Sequence, residues 1–150
     1  MIYLGIDPGK NGGYAFICTK NNSEKIIVKS YDEVNYIKDL EYNNSKDKII
    51  CCIEKVGAMP GQGVVSMFNF GQNFGFLKGV LEAYHIPYQE VRPQTWKKEF
   101  NLSGRDKQSS IKVCQHLYPD ISLLKTDRCK KPSDGMAEAL LIATYAYRRL

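Results

Sequence analysis

The sequence predicts an α/β domain with a mixed five-stranded sheet flanked by helices. The first three apolar segments are short and separated by turns, later segments alternate between helical and strand spacing, and the last part is helical. With 150 residues, of which 43% are hydrophobic and 25% charged, the chain has the size of one globular domain over residues 1–150. A second catalytic domain would have no room.

Apolar runs and turn residues predict the elements of the first third. Residues 2–6 form an apolar run that ends at Asp7-Pro8-Gly9, which predicts a first strand followed by a tight turn. Apolar residues return over 13–19, the predicted second strand, and residues 25–31 are the third strand of a meander. A helix over 32–42 follows, because apolar side chains recur at helical spacing behind a capping Asp32. Residues 49–53 are all apolar, which is typical of a buried central strand, here predicted over 48–54.

Glycine spacing and turn residues divide the rest of the chain into further predicted helices, a strand and loops. The Gly-rich residues 56–65 predict a loop, and a helix over 66–84 follows. A strand over 86–91, a short helix over 93–100 and a longer helix over 105–117 come next. A basic linker over 125–131 leads into a final apolar helix that opens at Pro132-Ser133-Asp134 and continues to residue 147.

Charge and cysteine content narrow the function classes. There are 21 Lys and Arg against 16 Asp and Glu, and the net charge of +5 favours polyanionic partners such as DNA. The five cysteines are odd in number and never spaced C-x-x-C, which argues against a disulfide framework or a zinc site. No stretch approaches the roughly 18 apolar residues of a membrane span, and the start lacks signal-peptide features. We therefore expect a cytoplasmic protein without a membrane partner.

Four acidic residues stand where this fold would bring them together. Asp7 ends the first strand and Glu54 ends the buried one, so neighbouring strands would place both at one rim of the sheet. Asp134 and Glu138 are four residues apart at the start of the last helix and share a face. Such acids repel one another unless a cation neutralises them, and oxygen ligands favour magnesium or manganese. A pair of ions some 4 Å apart could catalyse phosphodiester cleavage.

Three of these acids also have ordinary structural explanations. Asp7 suits a turn, Asp134 suits an N-cap, and Glu138 suits a solvated position near a helix start. Glu54 is harder to explain in this way, since a charge directly after five apolar strand residues is costly unless it is exposed or paired. The combination of the four acids indicates a metal-dependent nuclease, whereas no single member does.

A series of motifs resembles the RuvC-like Holliday junction resolvases. They are Gly5-Ile6-Asp7-Pro8-Gly9 with Gly12-Gly13-Tyr14, Ile53-Glu54, Gly71-Gln72-Asn73-Phe74-Gly75 with Gly79-Val80, Arg92-Pro93 with Trp96-Lys97-Lys98, and Asp134-Gly135-Met136-Ala137-Glu138-Ala139. They span nearly the whole chain in the family's order. The resemblance implies an RNase H-like nuclease domain over residues 1–150, a homodimer, and paired magnesium-dependent nicks that resolve four-way DNA junctions.

The resemblance also implies roles for individual residues. Asp7, Glu54, Asp134 and Glu138 would be catalytic ligands of two Mg²⁺ ions per site, replaceable by Mn²⁺, and Lys107 would act beside them. By the same resemblance, Lys97 and Lys107 would contact phosphates near the cut. Independently of the resemblance, other basic side chains are predicted to line the path of branched DNA, the alternative being a solvated lysine-rich face: Lys98, Arg105, Arg128, Lys130 and Lys131. No small-molecule substrate is expected. The compact length and the Trp96-Lys97 pair look more like phage-encoded members than the bacterial enzyme.

Two features differ from the bacterial members. The closing acids, Asp134 and Glu138, are four residues apart instead of three, which leaves open which of them binds metal directly. The bacterial members also have an aromatic wedge soon after the second acid, whereas Lys55-Val56-Gly57 follows Glu54 here. The candidates to replace that wedge are Met59, Met67 and Phe68.

Other functions fit parts of this pattern. A looser branched-DNA or flap endonuclease on the same fold would have the same active site. The segment Asp7-Pro8-Gly9 with Gly12-Gly13 also resembles the phosphate turn of actin-like phosphotransferases, but those enzymes need two such domains. A DNA-binding module without catalysis would place four acids near phosphate with no cation, which electrostatics disfavours.

The helix predicted over 66–84 is the candidate dimer interface. Gly71, Gly75 and Gly79 form a bare stripe on one face, which permits close approach of a sheet or a partner helix. Its large apolar residues supply more area than one sheet-facing side requires: Phe68, Phe70, Phe74, Phe76 and Leu77. The competing explanation is that all five are buried within one subunit, with the glycines fitting the helix onto the sheet.

Overall fold

Five strands and five helices follow one another in the predicted order in a computed structural model that describes residues 1–150. The strands are β1 (Ile2–Asp7), β2 (Gly13–Lys20), β3 (Ser23–Ser30), β4 (Ile49–Glu54) and β5 (Tyr88–Val91). The helices are α1 (Glu33–Asn44), α2 (Val64–Ala83), α3 (Pro93–Glu99), α4 (Lys107–Leu117) and α5 (Asp134–Arg149). The α/β prediction is confirmed. No helix combines the length and the hydropathy needed to cross a membrane.

The sheet is mixed and has the strand order β3-β2-β1-β4-β5. Strands β1, β2 and β3 form the predicted antiparallel meander, while β4 is parallel to both β1 and β5. In the parallel pair, Ile6 lies opposite Ile53. Asp7 and Glu54, each the next residue, therefore end adjacent strands at the same edge of the sheet, as predicted.

The two faces of the sheet carry different helices. On one face α3, α4 and α5 pack over a core that includes Ala15, Cys52 and Trp96. Helix α5 lies directly on this face because Gly5 has no side chain, and a Cβ there would collide with the backbone of Ala139 and Ala143. Alternation along β1 places Asp7 on the same face as Gly5. Asp7 therefore points toward the helix that carries the other two acids.

Helices α1 and α2 cover the opposite face, and α2 covers it incompletely. Leu77 and Leu81 are the fully buried residues of α2. A Cβ on Gly71, Gly75 or Gly79 would meet no atom within 4 Å. Because these glycines face open space, the explanation that they fit the helix onto the sheet is wrong.

Candidate metal centre

The first turn of α5 lies directly against the turn between β1 and β2. A Cβ on Gly135 would collide with Asn11 and Gly12, and a Cβ on Gly13 would lie 2.8 Å from the Lys29 carbonyl oxygen and 2.9 Å from that of Gly135. Only glycine allows the two backbones to approach so closely. This contact brings the start of α5, with its two acids, over the end of β1.

The carboxylates of Asp7, Glu54, Asp134 and Glu138 converge at this edge of the sheet. Burial raises the pKa of Asp7 well above its usual value, and the charges of Glu54, Glu138 and Asp134 raise that pKa further. Lys107 acts in the opposite direction. The structure therefore brings together all four acids that the sequence singled out, and Asp7 is at the centre of their mutual repulsion.

Glu54 has a partner within the chain, as its position after an apolar strand required. The indole Nε1–H of Trp96 donates a hydrogen bond of 2.8 Å to Glu54 Oε1. Burial raises the pKa of Glu54, the indole hydrogen bond lowers it, and the nearby charge of Glu138 raises it. A charged hydrogen bond of this kind offsets part of the cost of burying the carboxylate.

The two acids of α5 are not the ordinary helix-start residues that the alternative explanation required. Ser133 is the N-cap, because its hydroxyl accepts from Met136 N–H at 3.3 Å, so Asp134 is free of that role. Glu138 is only 8% exposed and is therefore not a solvated acid. For these two residues the simpler explanations are wrong.

Donors from α3 and α4 hold the α5 carboxylates. Lys107 Nζ lies 3.0 Å from Asp134 Oδ2, and Lys97 Nζ lies 3.5 Å from Glu138 Oε1. The hydroxyl of Ser110 also donates to Glu138 Oε1, at 3.1 Å. In this arrangement no three of the acids form a ready ligand set for a metal ion. The lysines lie at carboxylate oxygens that a cation would need.

The donor set nevertheless fits a divalent cation. When all are ionised, the four carboxylates outnumber the paired Lys97 and Lys107 and leave negative charge uncompensated around Asp7. Hard oxygen ligands without histidine or thiolate are the type that Mg²⁺ and Mn²⁺ prefer. The assignment of these acids as metal ligands stays a prediction.

The other predicted DNA contacts lie at varying distances from the acids. Lys98 lines a separate groove with Tyr145 and Arg149, and Tyr145 is about 16 Å along α5 from Asp134. The structure does not bring Lys98 to the carboxylates. The remaining basic residues are exposed on the segments that flank α4: Arg105, Arg128, Lys130 and Lys131. Their contact with DNA stays a prediction.

Three neighbours of the site were not among the predicted site residues. Trp96 belongs to one of the motifs that resemble the family, but no role was predicted for it. Ser110 lies one helical turn after Lys107, and this spacing could have identified Ser110 as a neighbour of the site. Asn73 Oδ1 accepts from Gly9 N–H at 2.9 Å and so ties α2 to the turn beyond Asp7. Among the candidate wedge residues, Met59 and Phe68 are exposed and Met67 is half-buried.

Comparison with solved structures identifies the fold of this chain. Neither a family model nor a curated protein matches the sequence. Among solved structures, Thermus thermophilus RuvC in complex with a Holliday junction substrate superposes with a TM-score of 0.63 and 14% identity, covering 99% of this chain and 96% of that one.

Two further resolvases have the same architecture. The yeast mitochondrial Holliday junction resolvase Ydc2 matches with a TM-score of 0.60 and 16% identity over 97% of this chain and 77% of that one. The fowlpox virus resolvase in complex with Holliday junction DNA matches with a TM-score of 0.53 and 18% identity over 97% and 98%. The chain therefore has the RNase H-like fold of the RuvC-like Holliday junction resolvases.

Proposed function

We propose that this protein is a magnesium-dependent, structure-specific endonuclease that resolves four-way DNA junctions by paired phosphodiester cleavage. The observation that carries the proposal is the convergence of Asp7, Glu54, Asp134 and Glu138 at one edge of the sheet. The fold is shared with resolvases, two of which were solved with Holliday junction DNA. A buried cluster of acids on a basic protein is costly to keep without a chemical use.

The residues divide the chemistry between them. Asp7, Glu54, Asp134 and Glu138 would hold the cations, which supply an activated water and stabilise the leaving oxygen. Lys107 and Lys97 already stand at the acids, and their ammonium groups are the nearest cations available to a phosphate that enters the site. Lys107 is the more exposed of the two and is suited to contact the scissile phosphate.

A homodimer is part of the proposal, because a four-way junction is two-fold symmetric and paired nicks need two sites related by that symmetry. One face of α2 supports it. That face carries Val64 and Phe68, which are 84% and 68% exposed, followed by the open stripe of Gly71, Gly75 and Gly79. A second copy of the same helix would cover this face and could approach closely along the glycines.

A cleavage assay tests the proposed function. With Mg²⁺, the protein should cut a four-way junction in preference to a Y-fork or a linear duplex, and Asp7→Asn or Glu54→Gln should abolish cutting while junction binding stays equal or tighter. Asp120→Asn removes an exposed acid that follows the far end of α4, the helix whose first residue, Lys107, lies at the site, and it serves as the control. Full cleavage by Asp7→Asn would refute the site, and equal cutting of the Y-fork would favour the looser branched-DNA nuclease.

A further inference from the structure

Trp96 is the single tryptophan of the chain, and its indole is fully buried beside the carboxylates. Its ring lies at a steep angle to Phe100, with centroids 6.5 Å apart. A buried indole N–H needs an acceptor, and here the acceptor is Glu54 Oε1. The largest side chain of this core layer therefore ends on one of the four acids.

We infer that Trp96 is a positioning residue for Glu54, and this inference rests on the proposed metal site. The indole hydrogen bond holds Glu54 Oε1 in place, and no hydrogen bond within this chain occupies Oε2. The next residue of α3, Lys97, reaches Glu138. Two successive residues of one short helix thus contact two different acids of the cluster.

The sheet itself fixes this arrangement. Glu54 lies opposite Val91 in the parallel pair of β4 and β5, and Lys55 N–H donates to the Val91 carbonyl at 2.7 Å. Helix α3 begins two residues later at Pro93, whose ring restricts the backbone at the first helical position. The strand pair that carries Glu54 therefore also fixes the origin of the helix that carries Trp96.

Positioning has a measurable consequence for cation affinity. A free glutamate side chain loses rotamer freedom when it binds an ion, whereas a glutamate already held by a donor loses less. Loss of such a partner typically weakens metal binding by about 10- to 100-fold. The same contact makes the single indole a direct reporter of the site, because any cation on Glu54 changes the charge next to Nε1.

The test replaces the indole N–H while keeping the shape of the ring. Incorporation of benzothienylalanine at position 96 puts sulfur in place of the N–H, and Trp96→Phe is a second variant that also lacks the donor. Affinity for Mn²⁺ is measured on the free protein by calorimetry and by electron paramagnetic resonance, without DNA. Thermal unfolding in EDTA reports stability separately.

We expect the benzothienylalanine protein to unfold near the wild-type temperature in EDTA and to bind Mn²⁺ about 10- to 100-fold more weakly. The control is Phe100→Leu, which disturbs the same core layer and should lower the unfolding temperature with little change in Mn²⁺ affinity. Mn²⁺ affinity equal to wild type in the benzothienylalanine protein would overturn the inference.

A nuclear magnetic resonance measurement distinguishes the failure of this inference from failure of the proposed function. The single indole Nε1–H gives one cross-peak, which should move on addition of Mg²⁺ and should shift in metal-free Glu54→Gln, where the acceptor is no longer charged. A wild-type protein that binds no Mg²⁺ or Mn²⁺ would overturn the metal site and the positioning role together. A protein that binds Mg²⁺ while this cross-peak stays in place would overturn the positioning role alone.

Discussion

The two helical layers of this protein use glycine in opposite ways. On the α5 side, Gly5, Gly13 and Gly135 lie where any Cβ would meet backbone atoms of a neighbouring element. On the α2 side, Gly71, Gly75 and Gly79 meet nothing within 4 Å. The first set brings two parts of one chain into contact, and the second leaves open space that this chain does not fill.

This difference separates the part of the molecule that builds the site from the part that is left for association. Helix α5 is buried along most of its 16 residues, and this packing holds its two acids close to Asp7. Helix α2 is longer, at 20 residues, yet only Leu77 and Leu81 are fully buried. An exposed apolar face of this kind usually marks an interaction site.

The largest expected effect is at Gly5. Gly5→Ala would push α5 away from the sheet, because the new methyl group would collide with rigid backbone at Ala139 and Ala143. We expect a loss of about 3 kcal/mol or more in the free energy of unfolding, measured by urea titration. Cleavage should be lost as well, since the acids of α5 would move. Wild-type stability in Gly5→Ala would show that α5 does not rest on β1.

The next effect concerns association. Phe68→Arg places a charge on the exposed face of α2, and we expect the dimer dissociation constant to rise by about 30-fold or more, since a central aromatic anchor contributes about 2 kcal/mol. Sedimentation at micromolar concentrations measures it. Phe68 is a cleaner position than half-buried Phe74, because its replacement leaves the core intact.

The matched control for this change is on the other helix of the same layer. Val34 of α1 is 60% exposed, so Val34→Arg adds the same charge to a different apolar position and should leave the dimer intact. If the wild-type protein sediments as a monomer at these concentrations, the α2 face is not a dimer interface and the symmetric resolution mechanism fails.

A smaller effect is expected at Asp7 when no metal is present. Because its folded pKa is raised above the unfolded value, the folded state holds the proton more tightly, and this contribution to stability is lost as pH rises through the folded pKa. Asp7→Asn should therefore be more stable than wild type in EDTA at neutral pH. The difference should shrink as the pH falls toward the unfolded pKa. Thermal unfolding at several pH values in EDTA tests it, and a less stable Asp7→Asn would contradict the repulsion seen at the site.

The secondary-structure elements and the four acids of the site could be predicted from the sequence, because each prediction depends on residues that are close together in the chain. Five apolar residues before Glu54 indicate a buried strand, and the end of such a strand is where a ligand site forms. The bond between Trp96 and Glu54 joins residues 42 positions apart and depends on β5 pairing with β4, which periodicity does not encode. Likewise, spacing alone placed Gly75 on a stripe without showing what the stripe faces.

The last and smallest effect tests that open stripe directly. Gly75 is in the interior of α2, where glycine costs about 0.5 to 1 kcal/mol relative to alanine, and its added methyl group would enter open space. In the monomeric Phe68→Arg background, Gly75→Ala should therefore raise the free energy of unfolding by about that amount in urea titration. In the wild-type background, the same methyl group should weaken the dimer, because the partner helix needs the space.

Gly13→Ala is the comparison from the other layer, and it should destabilise the protein because its Cβ would lie 2.8 Å from the Lys29 carbonyl oxygen. If Gly75→Ala destabilises the monomer instead, α2 packs against this chain along its glycines, and the contrast between the two layers disappears.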